Sequence, residues 1–283
     1  MAAWTGDWAE IDGLNLNGVD EFGVKWGIDG DKFDGWGSTS PTLEMMQRTR
    51  QSGGWAGDSF GKPRTLAISG WVTGPTAALL VEAENRLIAA TSRDERLLRV
   101  SEAGVVRWIT VRRAGEVIFD RHRPTYATWS ILVSSEDWRK FGTELVGSTA
   151  LPATSGGLVI PFTIPFTIDA TVTAGLVTLT NDGNETGPSH ARVDGPAIGP
   201  IITHRGSGLS LVFASSLELL AGEWLDIDFD NHTALANGQA SRATYITSRG
   251  WPQFEPGANQ WAFTASSYTP GALLTVYGTP ADE

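Results

Sequence analysis

Leu225-Asp-Ile-Asp-Phe-Asp230 sets apolar and acidic side chains at alternate positions. A period of two is the period of a β-strand. It puts Leu225, Ile227 and Phe229 on one face and Asp226, Asp228 and Asp230 on the other. The competing reading is a calcium loop, since three carboxylates at alternate positions can ligate that ion. A helix-flanked calcium loop needs Gly at its sixth position and Glu at its twelfth. Counted from Asp226, those places hold Asn231 and Asn237. A glycosidase pair at Asp226 and Asp228 fails too, because such carboxyls must face each other across a cleft. The strand reading stands.

The same rhythm runs outward on both sides. Apolar or alternating runs occupy 158–168, 170–181, 191–198, 201–205, 209–214, 224–229, 242–248, 260–265 and 273–277. Turn residues separate most of them: Asn181-Asp-Gly-Asn184, Arg205-Gly-Ser-Gly208, Asn237-Gly238 and Glu255-Pro-Gly257. Short strands with closely spaced turn signals predict an all-β sandwich. No internal repeat is visible, which disfavours propellers and solenoids.

Upstream the pattern is mixed. Leu14–Asn17, Gly23–Gly27 and Thr65–Val72 read as strands, and Gly35–Pro41 as a loop. One helix is predicted over 76–90, with Leu79, Leu80, Ala83, Leu87 and Ile88 on its stripe and Thr76 as N-cap. Strands follow at 97–100, 105–113 and 116–119, with Ala114-Gly115 reading as a tight hairpin between the last two. A further strand covers 125–133, and Ser135–Phe141 reads as a one-turn helix ending at Gly142. The small, uncharged stretch 147–157 has the composition of a linker.

Composition narrows the function. The 283 residues include no Cys, so disulfides, thiolate zinc sites and cysteine nucleophiles are excluded. No apolar run is long enough to cross a bilayer as a helix, so no membrane span is expected. The N-terminus has neither the basic nor the apolar region of a secretory signal. The net charge of −11 argues against a duplex DNA binder. Residues 1–146 hold 17 basic and 20 acidic side chains, a net −3; residues 147–283 hold 4 and 12, a net −8. The four His (122, 190, 204, 232) show no metal-ligand spacing, and no G-x-S-x-G occurs. No catalytic residue, metal ligand or cofactor site is expected.

Two features suggest an interface instead. Residues 86–123 carry nine Arg against five acids, a net +4, while the segment 1–60 holds ten acids and four bases. The run reads equally as an ordinary solvated face or as a protein interface, with a nucleic-acid stripe as a third reading; Arg suits interfaces because its planar fork pairs with carboxylates. The acidic segment 1–60 of a neighbouring copy would be a natural partner. Opposite patches on one chain favour head-to-tail association, which closes into rings. Trp36 and Trp55 sit in Gly-rich stretches, where an exposed Trp would anchor a partner. The candidate interface residues are Trp36, Arg48, Trp55, Arg107, Arg112 and Arg113.

The order of these pieces carries a resemblance. Gly35-Trp-Gly37, Gln47-Arg-Thr-Arg50, Gly53-Gly-Trp55 and Arg64-Thr-Leu-Ala-Ile-Ser-Gly70 come first, then the helix, Val111-Arg112 and Ser135–Phe141. Thr180-Asn-Asp-Gly-Asn184, Ala191-Arg-Val-Asp-Gly195, Leu220–Asp228, Asn237-Gly238 and Trp251–Asn259 complete it. In this order the chain resembles the distal tail proteins of long-tailed, siphovirus-type phages, over nearly its whole length.

The resemblance implies a mainly β chain. An N-terminal β-sandwich-like domain with one helix (1–146) would form a hexameric ring. A linker (147–157) would lead to a C-terminal galectin-like β-sandwich (158–283) facing outward. The ring would join the tail tube to the tape-measure protein and to hub or receptor-binding proteins at the tail tip of the virion, after assembly in the host cytoplasm. DNA would pass through without specific binding, and nothing would enter a membrane. The alternative is a glycan-binding module of galectin type. It would use Trp36, Trp55, Trp251 and Trp261 as sugar platforms, but no compact His/Asn/Arg/Trp/Glu set falls on one strand face.

Overall fold

The protein's structure, a computed structural model, describes residues 4–155, 171–173, 175–267 and 270–283. It divides into two compact units, residues 1–142 with Glu283, and residues 143–282.

The first unit contains β1 (Trp8–Ile11), β2 (Leu14–Asn15), β3 (Gly18–Val19), β4 (Lys25–Asp34), β5 (Thr42–Gln47), β6 (Gly54–Phe60), β7 (Arg64–Thr73), α1 (Ala77–Ala90), β8 (Arg96–Glu102), β9 (Val105–Arg113), β10 (Ile118–Arg123), β11 (Tyr126–Ser135) and β12 (Lys140–Phe141). Antiparallel pairing runs β2-β1-β8-β9-β11-β7-β4-β3. The two halves of this path meet through only two residue pairs, Val133–Arg113 and Ser134–Arg112. Alternation sets the inner faces. Leu66, Ile68 and Val72 of β7 and Ala127, Trp129, Ile131 and Val133 of β11 all point into one core. That core also takes Leu80, Ala83, Leu87 and Ala90 of α1. Thr76 caps the helix as expected, accepting from Leu79 N at 3.3 Å, but Ile88 of the predicted stripe lies exposed.

Two local expectations are corrected here, and one strand was not foreseen. Ala114-Gly115 does not close a hairpin: β9 and β10 lie one after the other along the same edge of β11. Ala114 N donates to Leu132 O at 2.8 Å, so the chain runs on along β11, with its register shifted by two residues at β10, rather than turning back. Ser135–Phe141 is not helical. Ser135 ends β11, Asp137 accepts from Arg139 N in a bend, and Phe141 pairs with Trp108. The loop read at 35–41 runs directly into an unforeseen strand, β5.

The second unit contains β13 (Leu145–Ala150), β14 (Ala153–Ser155), β15 (Thr171–Thr173), β16 (Leu176–Asn181), β17 (Ser189–Asp194), β18 (Ala197–His204), β19 (Ser210–Phe213), β20 (Glu218–Leu219), β21 (Trp224–Asp228), β22 (Thr233–Ala236), β23 (Ala240–Ser241), β24 (Ile246–Arg249), β25 (Gly257–Ser267) and β26 (Leu273–Gly278). Two antiparallel sheets, β13-β26-β17-β21-β22-β23 and β16-β25-β18-β19-β24, enclose one apolar core. This is the predicted sandwich. In β21, Leu225 and Ile227 are buried with Phe229 just beyond, as the alternation requires.

The stretch read as a linker takes part in two strands, one of them β14 at Ala153–Ser155, which pairs with β15. Gly147–Ala150 belongs to β13 and pairs with Leu273–Val276 of β26. Its small residues serve packing: a Cβ on Gly147 would sit 2.5 Å from Val177. The predicted strand at 158–168 lies outside the described residues.

Candidate protein–protein interface

The most exposed apolar surface belongs to β5 and β6. They form a two-stranded hairpin, an arm, that hydrogen-bonds to no other described strand. Leu43, Met45, Met46, Trp55 and Phe60 are all half or more exposed, Met46 by 72% and Trp55 by 65%. Met46 and Trp55 are cross-strand partners. At the tip Arg48 N donates to Gly53 O, and the Arg48 guanidinium lies 4.4 Å over the Trp55 ring. Two of the six candidate residues, Arg48 and Trp55, are thus brought together. A lone hairpin is at best marginally stable in water, and exposed apolar patches mark contact sites.

The arm springs from a tightly built root. Trp36 was expected as a surface anchor, and the structure corrects this: its ring is buried, stacked 5.8 Å from Phe33. Its Nε1–H donates to Glu102 Oε2 at 2.9 Å, and its carbonyl accepts from the buried Lys140 Nζ at 3.0 Å. The flanking glycines let the chain turn the ring inward. Gly35 has φ +88°, and a Cβ there would meet Thr65 O at 2.0 Å. Beside it Arg64, also buried, donates to the carbonyls of Gly35, Gly37 and Trp138. Sequence reasoning missed both Arg64 and the apolar side of the arm. The signal for Arg64 was its phase, two residues before Leu66 and four before Ile68, which places it on the core face of β7.

The arginine run has less to offer a neighbour than its sequence implies. Arg86 pairs with Asp20 at 2.7 Å, Arg96 with Asp12 at 3.2 Å and Arg99 with Glu10 at 3.3 Å. These acids belong to the segment 1–60, so much of the charge complementarity expected between copies is met within one chain. Arg112 pairs with Glu95 at 2.8 Å and lies 3.6 Å from Glu136; the hydrogen bond to Glu95 and its charge push the guanidinium pKa up further. Arg121 pairs with Glu84. Arg107 is half-buried on β9. Arg113 lines a shallow recess of about 500 Å³ with Ile88, Arg93 and Val117. Arg107, Arg112 and Arg113 lie on one strand, β9, with Arg112 on the opposite face from the other two, away from the Arg48–Trp55 contact in sequence and sheet.

The second unit presents rings that are already covered. Arg192 lies 4.5 Å over Trp224, His190 stacks on Tyr277 at 4.4 Å, and His232 stacks on Trp251 at 5.0 Å. Trp261 is fully buried. Of the four Trp proposed as sugar platforms, Trp36 and Trp261 are core residues and Trp251 is stacked. Only Trp55 stands exposed, on the arm of the other unit. The acidic strand is likewise committed: Asp226 accepts from Trp224 Nε1 at 2.8 Å, Asp228 from Asn231 and from Asp230 N, and Asp230 from Ser189 N. Among the described residues no three His, Asp or Glu side chains group to hold a metal ion. His204 is buried between Ser207 and Asn259, and His122 bonds Thr128.

Both units are mainly β, and the first carries an exposed apolar arm that pairs with no other described strand. The fold is shared with a solved phage protein. The chain is similar to the Dit protein (gp 19.1) of SPP1, a paradigm of the hub adsorption apparatus in phages that infect Gram-positive hosts. The TM-score is 0.66 at 13% identity, covering 97% of this chain and 98% of that one. Chains of the phage P2 baseplate in its activated conformation, with Ca and with Sr, align over 89% of this chain and 92% of theirs. Their TM-score of 0.45 and identity of 11% are too slight to bear on the fold. No protein-family model matches the chain, and no curated protein matches it.

Proposed function

We propose that the protein is a structural, non-enzymatic component of a phage tail tip, and that six copies close into a ring. The observation that carries this reading is the arm. Its exposed Met45, Met46, Trp55 and Phe60 need a cover, and a second copy supplies one by a head-to-tail contact of the kind that closes into rings. The likeness of fold to SPP1 Dit supports the setting. In this role the first unit forms the ring against the tail tube. The second offers its outer strands to the tape-measure, hub and receptor-binding proteins. Assembly takes place in the host cytoplasm, and the ring then resides in the virion. The acidic balance, −11 per copy, suits a wall past which DNA moves without sticking.

Class averages of the purified full chain by electron microscopy test this, with light scattering for mass. The expected result is a six-fold ring with a central hole. A particle of one 30.3 kDa copy at high protein concentration, with no ring, overturns it.

A further inference from the structure

We infer that Arg64 is a positioning residue: its buried guanidinium clasps the two limbs of the arm and sets the direction in which the arm leaves the first unit. The inference goes beyond the ring reading, and only its assembly readout rests on that reading.

Arg64 stands at the first position of β7, directly after the outgoing limb Gly61-Lys-Pro63. Its Nη1 donates to Gly35 O at 2.6 Å and also to Gly37 O, both on the incoming limb. Its Nε and Nη2 donate to Trp138 O at 3.2 and 2.8 Å. Its own carbonyl accepts from Ser134 Oγ at 3.1 Å, which ties it to β11. One planar fork therefore joins both limbs and the bend at Trp138. Burial pushes the guanidinium pKa down, and Glu283 and Asp137 oppose that shift. An Arg stays charged regardless. Hydrogen bonds to main-chain carbonyls satisfy it, which is the condition on which a buried charge is tolerated.

The same site fixes the outgoing limb by shape. A Cβ on Gly61 would stand 2.4 Å from the Trp138 ring, so that limb runs flush against the indole. The lever is long. The six residues of β5 span about 20 Å at roughly 3.4 Å per residue, so a tilt of about 10° at the root would carry the tip about 3.5 Å. A hairpin that must seat Trp55 and Met46 on a partner needs its root held more tightly than that.

Lys in place of Arg64 keeps the charge but cannot fork across three carbonyls. The absence of Cys makes the direct experiment simple. Ser52→Cys at the exposed tip and Ala78→Cys on the exposed face of α1 accept spin labels. Pulsed electron resonance on dilute, monomeric full chain then reads the distance distribution between them. We expect one narrow distribution with Arg64 present and at least a doubling of its width in Arg64→Lys. The midpoint concentration for assembly should rise about tenfold or more. Arg64→Gln is the second variant, for the case in which Arg64→Lys fails to fold. It removes the charge and the fork while keeping an amide of similar reach, and we expect a broadened distribution here too. Unchanged distributions in the folded variants overturn the inference. If the wild type forms no ring, the ring reading fails, while the distance measurement still decides the role of Arg64.

Discussion

The arm and the arginine run are opposites. The run draws the eye in the sequence, with nine Arg in residues 86–123. In the structure Arg86, Arg96 and Arg99 meet acids of their own chain. The arm carries two Arg and two acids, and in the structure it is the apolar surface with no described strand beside it. Charge density is visible in composition, but whether a charge is already paired depends on which strands lie side by side. An apolar side chain on a two-stranded hairpin has no second layer to bury it, so its exposure follows from topology alone. Contact energy at protein interfaces resides chiefly in buried aromatic and apolar anchors, with exposed ion pairs adding little.

The contrast can be broken most directly on the arm. Replacing Met46 and Trp55 together by Ser should abolish ring formation, raising the assembly midpoint on the order of a hundredfold. A change that large corresponds to about 2.7 kcal/mol per contact. Light scattering across a dilution series reads it, and melting of the monomer should hardly move. A ring that survives would return the contact to the arginines.

Trp36→Ala probes the root, and here the effect should be on stability. Removing a fully packed aromatic costs about 3–5 kcal/mol. Urea unfolding followed by Trp fluorescence would measure it, and a loss below about 1 kcal/mol would mean that the ring is not core.

Acid should touch the second unit more gently. Burial raises the Asp228 pKa, but hydrogen bonds from Asn231 and Asp230 N outweigh this and hold the carboxyl below its ordinary value. A folded pKa below the unfolded one means a contribution present above the unfolded pKa, about 3.9, and lost as pH falls through the folded value. Asp228→Asn should therefore flatten the fall in melting temperature below about pH 4. An unaltered slope would assign that fall to other carboxylates. Arg112→Ala should do least, leaving both assembly and melting unchanged, because its partners Glu95 and Glu136 are at least as exposed as it is. A clear loss of assembly in this variant would show that the run faces a neighbour.

Much of the fold was readable where one rule decided. Alternation identified β7, β21 and β25, and stripe and cap identified α1. The sequence signals failed where two rules compete. Gly35-Trp-Gly37 has loop composition, yet the same glycines allow the backbone to fold the indole into the core. Ser148-Thr-Ala150 has linker composition, yet small residues suit an edge strand whose Gly147 packs close to Val177 and Leu179. Ser135–Phe141 opens like a capped helix, but Asp137 takes Arg139 into a bend and the strand phase of Lys140–Phe141 prevails. At the candidate interface, Arg48 and Trp55 were legible as types, and their contact was not, since it depends on the register of β5 with β6. Leu43, Met45 and Met46 show no clean period and so announced no face.

The ladder between β7 and β11 has a mechanical consequence. Ten consecutive residue pairs join Arg64–Thr73 to Tyr126–Ser135, and the arm enters at the Arg64 end. Antiparallel hydrogen bonds lie across the strand axis. A pull on the arm along β7 therefore loads all ten pairs together, in shear, instead of peeling them one after another. Failure under tension would need the whole ladder to slip at once, so the arm hangs from a strand that is itself fastened along its length in the longest seam of the first unit.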